Sequence, residues 1–226
     1  VLYFMKSSYY KYFAALLSFG SNGIVASNIN LPSYEIVLLR LLLGSLFLIT
    51  VFTVSRQRFT FYRNKHTCLY LFISASAMGA SWMLLYEAYQ QVGISIASLA
   101  YYCGPVIVMI LSPFLFRETL TWPKIAGFLT VLAGMCLVNL QALDEGKTIW
   151  GLFCGLMSAF MYALMVTANK KAKPESGLEN SLLQLVIGSF IVVAFVSMQK
   201  NFVLSLTTID WIPVLLLGLL NTGIGG

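Results

Sequence analysis

The chain has 226 residues, of which 59% are hydrophobic and 10% charged, against about 25% charged in an ordinary soluble domain. A mean hydropathy of +0.84 excludes a water-dispersed globule, because so few charges cannot cover a surface of this size. The formal charge of +6 does not indicate nucleic acid, since the cations sit in short segments between apolar runs and act there as topology signals.

A membrane-spanning helix needs about 20 mostly apolar residues, and eight stretches of the chain meet that need. They run from Tyr12 to Ile29, Tyr34 to Val54, Cys68 to Gln91, Ser95 to Phe116, Trp122 to Leu140, Ile149 to Asn169, Glu179 to Gln199 and Ile209 to Gly226, the last cut short. Pro32, Gly93, Pro123, Asp144 with Gly146, Pro174 with Gly177, and Asp210 mark the boundaries. The first run follows Lys6 and Lys11 as a signal peptide would, but Ser18, Ser21, Asn22 and Asn28 interrupt it, and it is assigned as a retained helix. Cys68, Cys103, Cys136 and Cys154 show no CxxC spacing and are assigned to packing, not to a disulfide framework or zinc.

Positive loops stay in the cytoplasm. With the N-terminus inside, eleven cations fall on the inner side (Lys6, Lys11, Arg56, Arg58, Arg63, Lys65, Arg117, Lys124, Lys170, Lys171 and Lys173) and two, Lys147 and Lys200, on the outer side. The expected protein is therefore all-α, multi-pass and cytoplasmic at its N-terminus. Arg40 is the remaining cation and lies within the second span.

The segment Tyr34 to Ile49 (YEIVLLRLLLGSLFLI) aligns without gaps on Leu178 to Val193 (LENSLLQLVIGSFIVV), with six identities in sixteen positions. Shared leucines carry little weight between two apolar helices. The Glu near the start and the Gly-Ser pair nine residues later carry more. The copies are spans two and seven, and an odd number of crossings between them inverts the second copy, the symmetry of many secondary transporters. A five-helix unit at an offset of 144 residues predicts an inverted five-plus-five repeat, with a first repeat over 1–143 and an incomplete second over 144–226. The chain is expected to be a fragment of a ten-helix protein, cut to about eight helices.

Several residues inside the spans are polar or aromatic. Arg40 and Glu87 lie at similar depths; they either pair on the bundle interior and bound the outer side of a polar cavity, or are a snorkelling Arg and a solvated Glu. Glu87 is also the candidate proton carrier. Trp82, Tyr86, Tyr101 and Tyr102 either face a small amphipathic solute or pack the bundle. Pro105 frees a carbonyl near Tyr101 and is expected to kink the fourth span. Asn22, Asn28, Asn169 and Asn221 are expected to bond between helices, with Asn22 also a cavity candidate. Gly151, Gly155, Ala159 and Ala163 recur every fourth residue and predict a smooth packing face. Glu118 is expected to pair with Arg117 or Lys124 in a wet loop, and His66, the single histidine, to be solvated.

The stretch Leu85 to Asn139, LYEAYQQVGISIASLAYYCGPVIVMILSPFLFRETLTWPKIAGFLTVLAGMCLVN, resembles the EamA family of the drug/metabolite transporter superfamily. In that family a Tyr-rich end of helix three leads through a polar turn to a helix with a central Pro, matched by Pro105. That helix closes on an acid, matched by Glu118, and a Gly-containing helix follows, matched by Gly127 and Gly134. The family's second helix often carries an Arg, matched by Arg40. The second copy of the Pro-to-Glu block is missing here. The resemblance implies a secondary transporter that moves small metabolites by alternating access, in the export of amino acids or related compounds, with a coupling proton or ion and no cofactor. It places the chain in the plasma or inner membrane.

Other classes fit less well. The chain has no GxxxxGK[ST] motif for ATP-driven transport, and no Ser/His, paired-Asp or metal-ligating constellation within its spans for an intramembrane enzyme. A truncated, non-transporting fragment is the alternative.

Overall fold

Backbone inside hydrocarbon has no water to bond with, so a long apolar run must satisfy its own N–H and C=O groups as a helix. The structure, a computed structural model, describes residues 20–21, 24–25, 29, 31–117, 119, 121–139, 149–172, 176–198 and 211–224, and among these it contains no strand. The elements are α1 (Ser33–Val54), a 3-10 turn (Phe61–Arg63), α2 (Lys65–Tyr101), α3 (Cys103–Phe116), α4 (Trp122–Asn139), α5 (Ile149–Ala172), α6 (Gly177–Ser197) and α7 (Trp211–Leu215), the last continuing as a π-helix over Leu216–Ile224. Four described helical stretches are long and apolar enough to cross a membrane: Tyr34–Val54, Lys65–Phe116, Ile149–Ala172 and Gly177–Ser197. The predicted first span lies mostly outside the described residues, although Gly20, Ser21, Ile24 and Val25 are helical.

Helix α5 has the polarity expected in lipid. Gly151, Cys154, Gly155, Ser158, Ala159 and Ala163 are buried, while Phe153, Leu156 and Phe160 are exposed. Small side chains face protein and large apolar ones face outward, the reverse of a helix at a water interface.

The chain divides into two compact units, Val1–Phe59 with Ser176–Gly226, and Thr60–Glu175. Each draws helices from both predicted repeats. In the second unit α2 packs along α5 with a seven-residue step. The hydroxyls of Thr67, Ser74 and Ser81 donate to the carbonyls of Ala172, Met165 and Ser158 at 3.0, 3.0 and 2.9 Å, and Ser158 returns a bond to the Ser81 carbonyl at 2.7 Å. One numbering rises as the other falls, so these helices are antiparallel. The next step brings Ala88 beside Gly155, where a Cβ at Gly155 would stand 3.8 Å from that of Ala88, and Val92 and Gln91 beside Gly151.

The Lys65–Phe116 stretch has 52 residues; at 1.5 Å per residue it would reach about 78 Å, well beyond a bilayer core of about 30 Å. It does not run straight. Gly93 has φ 80° and ψ 164°, a conformation essentially confined to glycine, and the helix reverses there. Contacts with α5 show the reversal: before Gly93 the two helices run antiparallel, whereas beyond it Ala100 lies by Gly155, and Gly104 lies by Ala159 and Tyr162, in parallel order. The predicted third and fourth spans are thus two arms of a hairpin joined at one glycine.

In the first unit α1 and α6 are antiparallel. Gln57, just past the end of α1, accepts a bond from the Ser176 hydroxyl at the start of α6 at 3.2 Å, and mid-helix Gly44 abuts Leu185. The π-helix runs parallel to α1, with Gly218 against Leu43 and Gly223 against Phe47.

Candidate functional site

The first unit gathers buried polar groups along α1 and the π-helix. Burying polar side chains in a membrane protein is costly unless they are bonded, so such a cluster marks a site. Glu35 and Arg40 are each 2% exposed, and Asn221 and Thr222 are buried with them. Arg40 Nε donates to Thr222 Oγ1 at 3.1 Å. Thr222 Oγ1 in turn donates to the Leu217 carbonyl, five residues back, at 2.7 Å. That five-residue spacing is the π-helical repeat, a form that occurs mostly as short insertions and often at functional sites. The threonine thus ties the widened turn and presents an acceptor to the guanidinium. Asn221 Nδ2 donates to Ser21 Oγ at 3.2 Å. A Cβ at Gly44 would stand 2.7 Å from the Thr222 methyl, so the absence of a side chain there lets α1 approach the threonine.

Aromatic groups mark the second unit. Trp82, Tyr86 and Tyr89 recur at helical spacing on α2, with the Tyr86 and Tyr89 rings 5.4 Å apart and Tyr86 buried. Tyr101 meets Tyr102 at 6.2 Å and Tyr162 of α5 edge-on at 5.3 Å. Gly104 makes room for Tyr162, whose ring carbon would lie 2.7 Å from a Cβ at that glycine. The helix is interrupted at Tyr102, and α3 restarts at Cys103 with Pro105 in its first turn. Proline has no N–H for the Tyr101 carbonyl, so the ring of Pro105 and the break belong together. Pro113 is a second proline, interior to α3.

Of the residues singled out in the sequence, Asn22 lies outside the described residues. Arg40 is buried and bonded to Thr222, so it does not snorkel. Glu87 is half-buried and accepts a bond from Gln91 Nε2 at 3.0 Å. Arg40 belongs to the first unit and Glu87 to the second, each with a bond inside its own unit. Trp82, Tyr101 and Pro105 are half-buried and Tyr102 is exposed. Asn221 bonds between helices, as expected. Glu118 and the side chain of Cys136 lie outside the described residues, and Cys154 is a buried packing residue. His66 is exposed, its ring 4.5 Å from that of Tyr70.

Sequence reasoning missed Thr222, Tyr162 and the Ser81–Ser158 pair. Their signals were a threonine in an apolar run, a tyrosine on the small-residue helix, and hydroxyls spaced by seven. It also gave no site role to Glu35, whose Oε2 finds no hydrogen-bond partner among the described residues.

Cations of the second unit cluster at one end. Lys170 lies 4.3 Å over the Phe116 ring and Lys171 5.9 Å over that of Tyr70, both within cation–π range.

Among the described residues no group of three or more His, Cys, Asp and Glu is placed to hold a metal ion. The chain is similar to an uncharacterized transporter of Bacillus subtilis (strain 168), YxxF, at 26% identity over 217 residues, covering 93% of this chain and 68% of that protein. A protein solved as a crystal structure shares the fold, with a TM-score of 0.74 at 18% identity over 97% of this chain and 76% of the other. The model of the EamA-like transporter family matches residues 7–140, more than half of the chain. Buried charge on a bonded scaffold, large apolar side chains turned outward and this match agree: the chain is a multi-pass membrane protein of the EamA-like transporter family.

Proposed function

We propose that the chain belongs to a secondary transporter that moves small metabolites across the plasma or inner membrane by alternating access, and that its direction is export of amino acids or related compounds. The observation that carries this is Arg40, a cation buried within an apolar helix and held by Thr222 on a π-helical turn. A cation is expensive in such a place and is retained where it serves a solute or ion path. A guanidinium suits a carboxylate, which it can bind with two parallel N–H donors. In the second unit Trp82, Tyr86, Glu87, Tyr101, Tyr102 and Pro105 are the residues proposed to face solute, and Asn22 joins them.

The inverted five-plus-five repeat, divided at 143 and 144, is part of the proposal. Antiparallel packing of α1 on α6, which carry the two copies, supports it. So does a second pair of contacts. Moved by the 144-residue offset, Ser21 falls on Met165 and Asn221 falls back on Ala77; Ser74, one turn from Ala77, donates to the Met165 carbonyl. Inner orientation of the N-terminus is supported by the loop charges.

Retention of labelled amino acids by cells that express the protein, against cells with an empty vector, tests this function. Faster loss of at least one labelled amino acid is expected, and Arg40→Gln should return the rate to that of the control. A broad panel with no difference in any compound overturns the transport proposal.

A further inference from the structure

Glu35 and Glu179 are the aligned acids of the two copies, and each is buried in the third position of its helix. Their surroundings differ. Helix α6 begins at Ser176, whose hydroxyl accepts the N–H of Glu179 at 3.5 Å, and Ser-Gly-Leu-Glu has the spacing of a capping box, in which the acid serves the helix start. Helix α1 begins at Pro32, which makes no side-chain cap bond and has no N–H for an acid three residues later to cap. Glu35 is therefore released from the structural task its counterpart has. The residue is 2% exposed, and among the described residues Oε2 has no hydrogen-bond partner.

Burying a carboxyl with one oxygen unbonded is costly, and acids kept at such places within a span mark ion or proton paths. Among the described residues, few charged groups lie on the elements packed against it. On α1 the nearest cation is Arg40, five residues on, which gives Nε to Thr222, and Tyr34 is the titratable neighbour in sequence. On α6 the acid is Glu179, at the opposite end of the antiparallel pair. Helix α7 and the π-helix carry no titratable side chain. No cluster of acids or histidines among the described residues would hold a metal ion instead. We propose that Glu35 is a proton-binding site of the carrier: its carboxylate takes up one proton to become the neutral acid and gives it back during the transport cycle.

This inference rests on the transporter reading above and deepens it, naming the coupling ion and the group that binds it. Glu35 lies at the predicted outer end of its span, so it would load from outside. Inward release of that proton gives the polarity an exporter needs to exchange protons for solute.

The test has two arms. In the first, the full chain in lipid nanodiscs is titrated by infrared difference spectroscopy. A protonated-carboxyl band is expected that titrates, disappears in Glu35→Gln and remains in Glu87→Gln and Glu179→Gln. A band that survives in Glu35→Gln, or that only Glu87→Gln removes, overturns the proposal. Should Glu35→Gln not yield monodisperse protein, Glu35→Asp is read in its place, and a band that does not shift in Glu35→Asp overturns it equally. In the second arm, vesicles compare labelled amino-acid flux with and without a pH gradient. The ratio of the two should exceed one in the wild type and fall to one in Glu35→Gln. Wild-type vesicles with no flux break the transporter reading and leave the infrared arm to decide the proton site. Wild-type flux with a gradient response that Glu35→Gln keeps overturns the proton site alone.

Discussion

The two units join helices in opposite ways. Along α2 and α5 the second unit uses a ladder of small contacts: three hydroxyls in seven-residue register, a reciprocal Ser81–Ser158 bond, and Gly151 and Gly155 where the backbones approach. Among the described residues, the first unit adds costlier groups: a buried guanidinium on a threonine, a π-helical turn and an acid with an unbonded oxygen. Apolar side chains gain nothing by leaving lipid for protein, so helices in a membrane hold through close packing and interhelical hydrogen bonds. A ladder spreads that energy over many positions and tolerates the loss of one. A single charged contact concentrates it, and such places suit a ligand or proton that has to compete for the same groups.

That contrast gives four substitutions of falling effect. Arg40→Gln places the residue of the second copy in the first and removes a hydrogen bond from a charged donor, a loss of about 1.5–3 kcal/mol; transport assays should show it far more than thermal unfolding in detergent. If unfolding alone changes, the first unit is as structural as the second. Gly151→Val puts a Cβ 2.5 Å from Val92 Cγ1 and 2.7 Å from Gln91 Cβ, and overpacking of this kind costs about 1–3 kcal/mol; a fall in thermal stability should accompany it. Gly127→Ala, with nothing within 4 Å of the added carbon, should cause no loss, and by helix propensity it should raise stability by up to about 1 kcal/mol.

Ser176→Ala removes the α6 cap and should cost about 1 kcal/mol, read as faster hydrogen exchange in the first turn of α6. Pro32→Ala should produce no such loss at α1, because no side-chain cap exists there. Equal effects would erase the distinction between the two helix starts. The smallest of these losses is expected at Ser81, where a double-mutant cycle of Ser81→Ala with Ser158→Ala should give a coupling of about 0.6 kcal/mol. A coupling several times larger would show that the ladder is less evenly shared than its geometry indicates.

Much of the frame was legible in the sequence, because lipid imposes length and hydropathy on a helix in a way no neighbour can override. The stretch predicted from Tyr34 to Val54 is the helix Ser33–Val54, and the one beginning at Ile149 starts at that residue and ends three residues later than expected, at Ala172. The small-residue face of Gly151, Gly155, Ala159 and Ala163 was readable for the same reason. The π-helix was not. Whether a carbonyl bonds four or five residues ahead depends on Thr222 reaching back to Leu217 while Arg40 arrives from another helix, and neither local propensity nor hydropathy encodes that. The site was half-legible likewise: a charged residue in a span announces itself, but its partner on a distant segment does not. Glu35 entered the sequence reading only as a marker of the repeat; a Glu in a first turn ordinarily serves the helix, and the proline at position 32 is what sets this one apart.

Gly93 bears on how the protein is made. The arms on either side of it are joined by a single reversal, so there is no loop between them to be carried across the bilayer as a separate stretch of hydrophilic chain. The two arms are thus expected to insert as one paired element. A side chain at position 93 would therefore be felt during biosynthesis, in the yield of inserted protein, before it was felt in the activity of any molecule that had folded.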